Sequence, residues 1–145
     1  MYKFPFEPVL NHRKSVEETL QKEVAIYKKL LAEEKQRLNA YKKIKTKVIC
    51  ELREKESDIS TSSELLIYVG FLDCLSRDLK RQSERVVEIE RSYENKREDL
   101  IAAMKNRKTM DKLKDKGEKA HKHYLNQNDQ KLMDEVAINR FSRSM

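Results

Sequence analysis

Tryptophan is missing from this 145-residue chain, and glycine, proline and cysteine occur only twice each. An average chain of this length would carry roughly 17 glycines and prolines together. Architectures rich in tight turns need those residues wherever φ turns positive or the backbone must bend. β-Sandwiches, β-barrels and glycine-loop nucleotide-binding folds are therefore excluded. No run approaches the roughly 18 consecutive apolar residues of a membrane span, and the opening Met1-Tyr2-Lys3-Phe4-Pro5-Phe6-Glu7 has no apolar leader segment. Two cysteines, Cys50 and Cys74, make no disulfide framework. These features predict a reducing cytoplasm.

What is present is charge and periodicity. Charged residues make up 39% of the chain and hydrophobic residues 38%. The net charge of +7 (pI near 9.3) favours acidic partners without choosing among nucleic acid, anionic lipid and acidic protein. The apolar residues repeat at 3-4 spacing, which argues against disorder. The first seam runs Leu20, Val24, Tyr27, Leu31, Glu34, Leu38, Tyr41, Lys45, Val48, Leu52, Lys55, with polar interruptions at Glu34, Lys45 and Lys55. Val9 and Val16 extend the stripe upstream after one change of register. The second seam runs Leu65, Tyr68, Leu72, Leu75, Leu79, Gln82, Val86, Ile89, Tyr93, Lys96, Leu100, Ala103, Arg107, Met110.

Pro5 and Pro8 precede the first periodic segment, so a helix is predicted from about residue 8 to 57. Serines and a threonine crowd Ser57 to Ser63, and Thr61-Ser62-Ser63-Glu64 has capping-box spacing. A turn is predicted at about 58–62 and a second helix at about 63–140. A short connection makes antiparallel neighbours the default. The expected fold is all-α, an antiparallel two-helix coiled coil forming one domain over residues 1–145. The first helix would be roughly 70 Å long at 1.5 Å per residue. The longer second helix would overhang at the C-terminus, where Gly117 and Asn126-Gln127-Asn128 predict only partial helix in the free chain.

Chemistry-bearing clusters are few. His121 and His123, spaced i, i+2, point about 200° apart on a helix and cannot share a metal, and His12 lies distant from both. No glycine loop, CxxC or concave scaffold is available to a nucleophile, so neither catalysis, a cofactor nor a metal is expected. Heptad positions f and c turn Cys50 and Cys74 outward.

The most informative stretch is Leu65-Leu66-Ile67-Tyr68-Val69-Gly70-Phe71-Leu72. Leu66, Ile67 and Phe71 fall off the seam; an apolar patch left exposed on a helix pair marks a contact surface for a protein partner, with a thickened local core or self-association as the alternative. Gly70 stands where a stronger helix former is expected. Charge is also uneven. Residues 1–57 hold 14 basic against 9 acidic side chains, 58–100 hold 7 against 10, and 101–145 hold 11 against 6. Lys35 to Lys47 holds six basic residues and no acid. Only Tyr41 and Tyr124 accompany the basic runs, too few aromatics for specific nucleic-acid recognition. A basic coiled-coil arm that binds RNA or DNA through phosphates stays an alternative, as does a structural spacer.

The order of local motifs resembles the flagellar FliJ family, the small coiled-coil component of the bacterial flagellar type III export apparatus. Phe4-Pro5-Phe6-Glu7-Pro8-Val9-Leu10-Asn11-His12-Arg13 is similar to that family's F-x-F-x-x-V/L-L-x-x-R opening. Tyr68-Val69-Gly70-Phe71-Leu72-Asp73-Cys74-Leu75 resembles its Y-x-x-F-L-x-x-L element. Lys96-Arg97, Arg107-Lys108 and Lys112-Leu113 resemble later punctuation, and Lys131-Leu132-Met133-Asp134-Glu135-Val136-Ala137 resembles its closing K-x-x-D-E-x-A. The resemblance implies a non-enzymatic stalk like the central subunit of rotary ATPases. Such a stalk binds the export ATPase ring and promotes its assembly, touches the cytoplasmic domain of the export gate, and meets export chaperones. It further implies a cytoplasmic protein held peripherally at the membrane of the flagellar basal body. Gate contact would fall to Tyr41, Ile67, Phe71 and Leu75. The ATPase-facing positions would be Phe4, Phe6, Arg13, Lys112, Asp134 and Glu135. The stalk of a related virulence-type secretion system is a further alternative.

Overall fold

In a computed structural model, residues 1–55 and 62–144 are described. They form two α-helices, α1 (Glu7–Lys55) and α2 (Ser62–Ser144), and no strand occurs among the described residues. Residues 58–61 of the expected turn, and with them Thr61 of the Thr61–Glu64 capping box, lie outside the described residues; α2 begins at Ser62. The fold class is the expected one: all-α, two antiparallel helices, the second much longer at 83 residues against 49.

The ends of the helices follow from their residues. Pro8 sits in the first turn of α1, where a missing N–H costs nothing. A turn joins the amide of Glu7 to the carbonyl of Phe4 (3.2 Å) just ahead of it. Glu7 in the first turn and Arg53 and Lys55 in the last complement the helix dipole, as do Glu64 and Arg143 in α2.

The chain divides into two compact units, one of residues 1–19 with 101–145 and one of residues 20–100. In the first, Phe4, Leu10 and Met110 form a core cluster with Tyr2 packed against it. Glu17 is 6% exposed and accepts from the Arg107 guanidinium, which also donates to Asp111 at 2.7 Å. Lys114 reaches Glu7 at 3.1 Å. Pairing Glu7 with Lys114 and Glu17 with Arg107 is an antiparallel register.

That unit corrects the expected change of register upstream of Leu20. Val9 and Val16 are exposed, while Leu10, Arg13 and Glu17 face inward. These continue the 3-4 spacing of Leu20 and Val24 without a break. A carboxylate can occupy the seam at Glu17 because Arg107 and Asp111 complete an ionic network around it, and the buried charge is compensated.

In the second unit, Leu31, Val86 and Ile89 form the core, with Leu30, Leu38 and Tyr93 packed around them. Every predicted seam residue from Leu20 to Leu52 is buried or half-buried, as is every one from Tyr68 to Leu100, whereas Lys55 and Leu65 are exposed. Glu34 interrupts this apolar face yet is only 2% exposed. Its carboxylate accepts from the Gln82 amide at 2.5 Å and faces Arg85 at 3.5 Å and Arg37 at 3.3 Å. The Gln82 amide also donates to the Glu34 carbonyl at 2.9 Å. Glu23 meets Lys96 at 2.8 Å, again in antiparallel order. No buried side-chain polar atom among the described residues lacks a partner, so both polar seam layers are fully compensated.

α2 does not weaken where its glycine and asparagines lie. It is helical through Ser144, which corrects the expectation of a partly helical overhang. Gly117 has a local reason. A Cβ there would run into the Tyr2 ring, with Cζ at 2.8 Å, so the missing side chain is the notch that seats Tyr2. Each asparagine costs less than about 0.7 kcal/mol relative to alanine, which flanking leucine, lysine, methionine and alanine can carry.

Candidate functional site: an exposed apolar face and two polar ends of sequence

At the start of α2 the off-seam residues lie open. Leu66 is 69% exposed, Ile67 72%, Val69 50% and Phe71 49%. Leu65, 45% exposed, joins them. Tyr68 turns the other way, is half-buried, and its hydroxyl meets the Lys55 ammonium at 3.2 Å. That hydrogen bond holds the Lys55 pKa above its ordinary value. Gly70 lies within this face, and a Cβ built on it would meet nothing within 4 Å. Unlike Gly117, it leaves a bare stretch of helix backbone among large apolar side chains. Such a surface can take a partner's apolar side chains and admit close approach at Gly70.

The positions expected to share one contact surface do not all reach it. Ile67 and Phe71 are on the open face. Leu75 is 5% exposed, a seam residue within the core, so it supports the face from beneath and does not present its side chain. Tyr41 is a half-buried seam position on α1.

The residues expected to face a ring-shaped partner belong to the other unit and divide in the same way. Phe4 is 8% exposed and packs with Leu10 and Met110, which corrects its expected surface role. Phe6 is exposed and meets the Phe4 ring edge-on, with centroids 5.9 Å apart. Arg13 is half-buried and donates to the carbonyl of Asn106 at 3.4 Å, tying α1 to α2. Lys112, Asp134 and Glu135 are exposed. Past His121, every described residue of α2 except Asn128 is exposed, and Leu125, Leu132 and Val136 keep the seam's spacing with nothing packed on them.

Electrostatics in this unit hold the helices together. The Lys114 ammonium, hydrogen-bonded to Glu7, and the Arg107 guanidinium, hydrogen-bonded to Glu17 and Asp111, are both held more basic than usual. In the other unit, Glu23 does the same to Lys96. His121 packs against Tyr2 with centroids 5.5 Å apart and the rings tilted by 38°, a packing role with no counterpart in the sequence pattern. Among the described residues no three His, Cys, Asp or Glu side chains gather as a metal site, and Cys50 and Cys74 are exposed free thiols. No helix is long and apolar enough to cross a membrane among the described residues.

Comparison with known proteins gives three results. A family described as flagellar FliJ protein matches residues 2–145. No curated protein matches the chain. Among solved structures, a YscO homolog from Chlamydia trachomatis is similar, with 25% identity over 93% of this chain and 90% of that one, at a TM-score of 0.49.

Proposed function

The chain belongs to the flagellar FliJ protein family, and from that premise we propose that it is a non-enzymatic stalk of the flagellar type III export apparatus. In this reading it binds the export ATPase, promotes assembly of the ATPase ring, and contacts the cytoplasmic domain of the export gate and the export chaperones. It works in the cytoplasm and is held at the membrane only through the apparatus.

The observation that carries the reading is the open apolar face of Leu66, Ile67, Val69 and Phe71, beside a seam that is covered from Leu20 to Leu52 and from Tyr68 to Leu100. We assign gate contact to Ile67 and Phe71 on this face. Leu75 holds the helix in place from the core side, and Tyr41 contributes from α1. The ATPase-facing group consists of Phe6, Arg13, Lys112 and the exposed last turns with Asp134 and Glu135. Phe4 supports this group by anchoring the N-terminal segment. The unpaired stripe Leu125, Leu132, Val136 offers the apolar contact a ring lumen would cover.

The test is a charge placed on the open face. Phe71→Asp alters a half-exposed residue, so stability should change by no more than about 0.5 kcal/mol. Helicity by circular dichroism should stay as in the unaltered chain while capture of the export-gate cytoplasmic domain and motility are lost. If Phe71→Asp and Ile67→Asp both fold and both bind the gate domain and support motility normally, the assignment of this face is wrong.

A further inference from the structure

Beside the seam of the second unit runs a groove of about 520 Å³, floored by Leu38 and Leu79 and edged by Lys42, Lys45 and Lys80, with the Ser83 hydroxyl at its rim. Lys42 and Lys45 come from α1 and Lys80 from α2, so the two helices bring three ammonium groups to one apolar trough. None of the three forms a salt bridge among the described residues, although Lys96 and Lys114 each find a carboxylate on the opposite helix. The segment from Lys35 to Lys47 contains no acid to neutralise Lys42 and Lys45. Lys45 occupies a seam position where an apolar residue would add to the core. Positive charge from both helices is thus concentrated where the helix pair gives up packing.

We infer that this groove is a docking site for an acidic amphipathic helix of a protein partner, laid beside α1 and α2 with an aliphatic side chain on Leu38 and Leu79 and carboxylates toward Lys42, Lys45 and Lys80. The inference goes beyond the export-stalk reading and does not depend on it, because it rests on the groove alone. The volume is several times that of a phosphate and falls in the range of a site that takes side chains. The floor is aliphatic and no aromatic ring lines it, so it offers no platform on which a base could stack. A charged rim around an apolar floor matches a helix that carries both carboxylates and leucines on one face.

The experiment uses the full chain and a fluorescein-labelled helical peptide of glutamates and alanines with leucines at i and i+4. Anisotropy titration at low and physiological salt gives the affinity. Lys42→Glu/Lys80→Glu leaves the seam untouched and should weaken binding about tenfold or more with helicity unchanged. Replacing the peptide's leucines by glutamines should also weaken it. Lys105→Glu/Lys108→Glu, an equal charge change in the other unit, should leave it within twofold. Three results would each overturn the proposal: no saturable binding, equal loss in the Lys105/Lys108 control, or tighter binding of oligouridylate or phosphatidylglycerol vesicles than of the peptide with the same loss in the groove variant.

Discussion

Glu34→Ala is a direct test of how the helix pair tolerates a carboxylate in its seam. The wild-type side chain is 2% exposed and is satisfied by Gln82, Arg85 and Arg37. A fully buried ion pair broken from one side costs about 3–5 kcal/mol, because a charge is stranded. Here the stranded groups are not fully buried. Arg85 and Arg37 are 58% and 66% exposed and can turn to water, which leaves the Gln82 amide with the backbone carbonyl of residue 34 as its remaining acceptor and without its charged one. Losing a hydrogen bond to a charged acceptor costs about 1.5–3 kcal/mol, and the small gap left by alanine adds to it. The sum is about 2–3 kcal/mol, or a fall in melting temperature of several degrees for a chain of this size. Glu34→Leu/Gln82→Leu removes both polar partners and restores an apolar layer, so it should be at least as stable as the wild-type chain. Urea unfolding followed by circular dichroism reads both variants. A cost below about 0.5 kcal/mol for Glu34→Ala, or a double variant less stable than it, would refute the reasoning.

Three further outcomes follow from the geometry. Gly70→Ala should stabilise α2 by about 0.5–1 kcal/mol in urea unfolding, since its Cβ meets nothing, and should weaken gate-domain capture if the partner approaches the bare backbone. Gly117→Ala should expel Tyr2 from its notch, which would speed proteolytic removal of the first residues and abolish the NMR contact between Tyr2 and His121 while α2 stays helical. The pKa values of Lys96 and Lys114 are raised by hydrogen bonds to Glu23 and Glu7, so their stabilisation is complete below the ordinary lysine value of 10.5 and disappears as pH climbs through the raised values. Melting temperature should therefore fall as pH climbs above about 10.5, and fall less in Lys96→Gln/Lys114→Gln; an equal fall in both chains would show that these pairs contribute nothing.

Spacing alone made the seams from Leu20 to Leu52 and from Tyr68 to Met110 legible, because an apolar stripe must face its partner helix whatever the detail of packing. The open face around Ile67 and Phe71 was legible for the same reason, since those residues fall off the stripe. Polar seam positions were harder. Apolar spacing alone leaves Glu17 out of the stripe and carries the register onto Val9 and Val16, because the partner that makes its burial tolerable, Arg107, is 90 residues away in sequence. Gly117 read as a helix breaker for want of any sign that Tyr2 would fill its space. Phe4 and Leu75 were placed by motif on contact surfaces, but each lies on the inward side of its unit. The lysine groove was invisible as a site, although Lys45 already stood out as an interruption, because it needs Lys80 brought in by the antiparallel pairing.

The central claim is that this chain is a stalk that acts on an ATPase ring. ATP hydrolysis by the cognate flagellar export ATPase, measured with and without the chain and paired with sedimentation of the mixture, tests it most directly. The account predicts faster hydrolysis and co-sedimentation of the two proteins as a ring-sized complex, both lost when the exposed last turns from Leu125 onward are removed. Unchanged hydrolysis and separate sedimentation, with an ATPase able to form rings on its own, would contradict it.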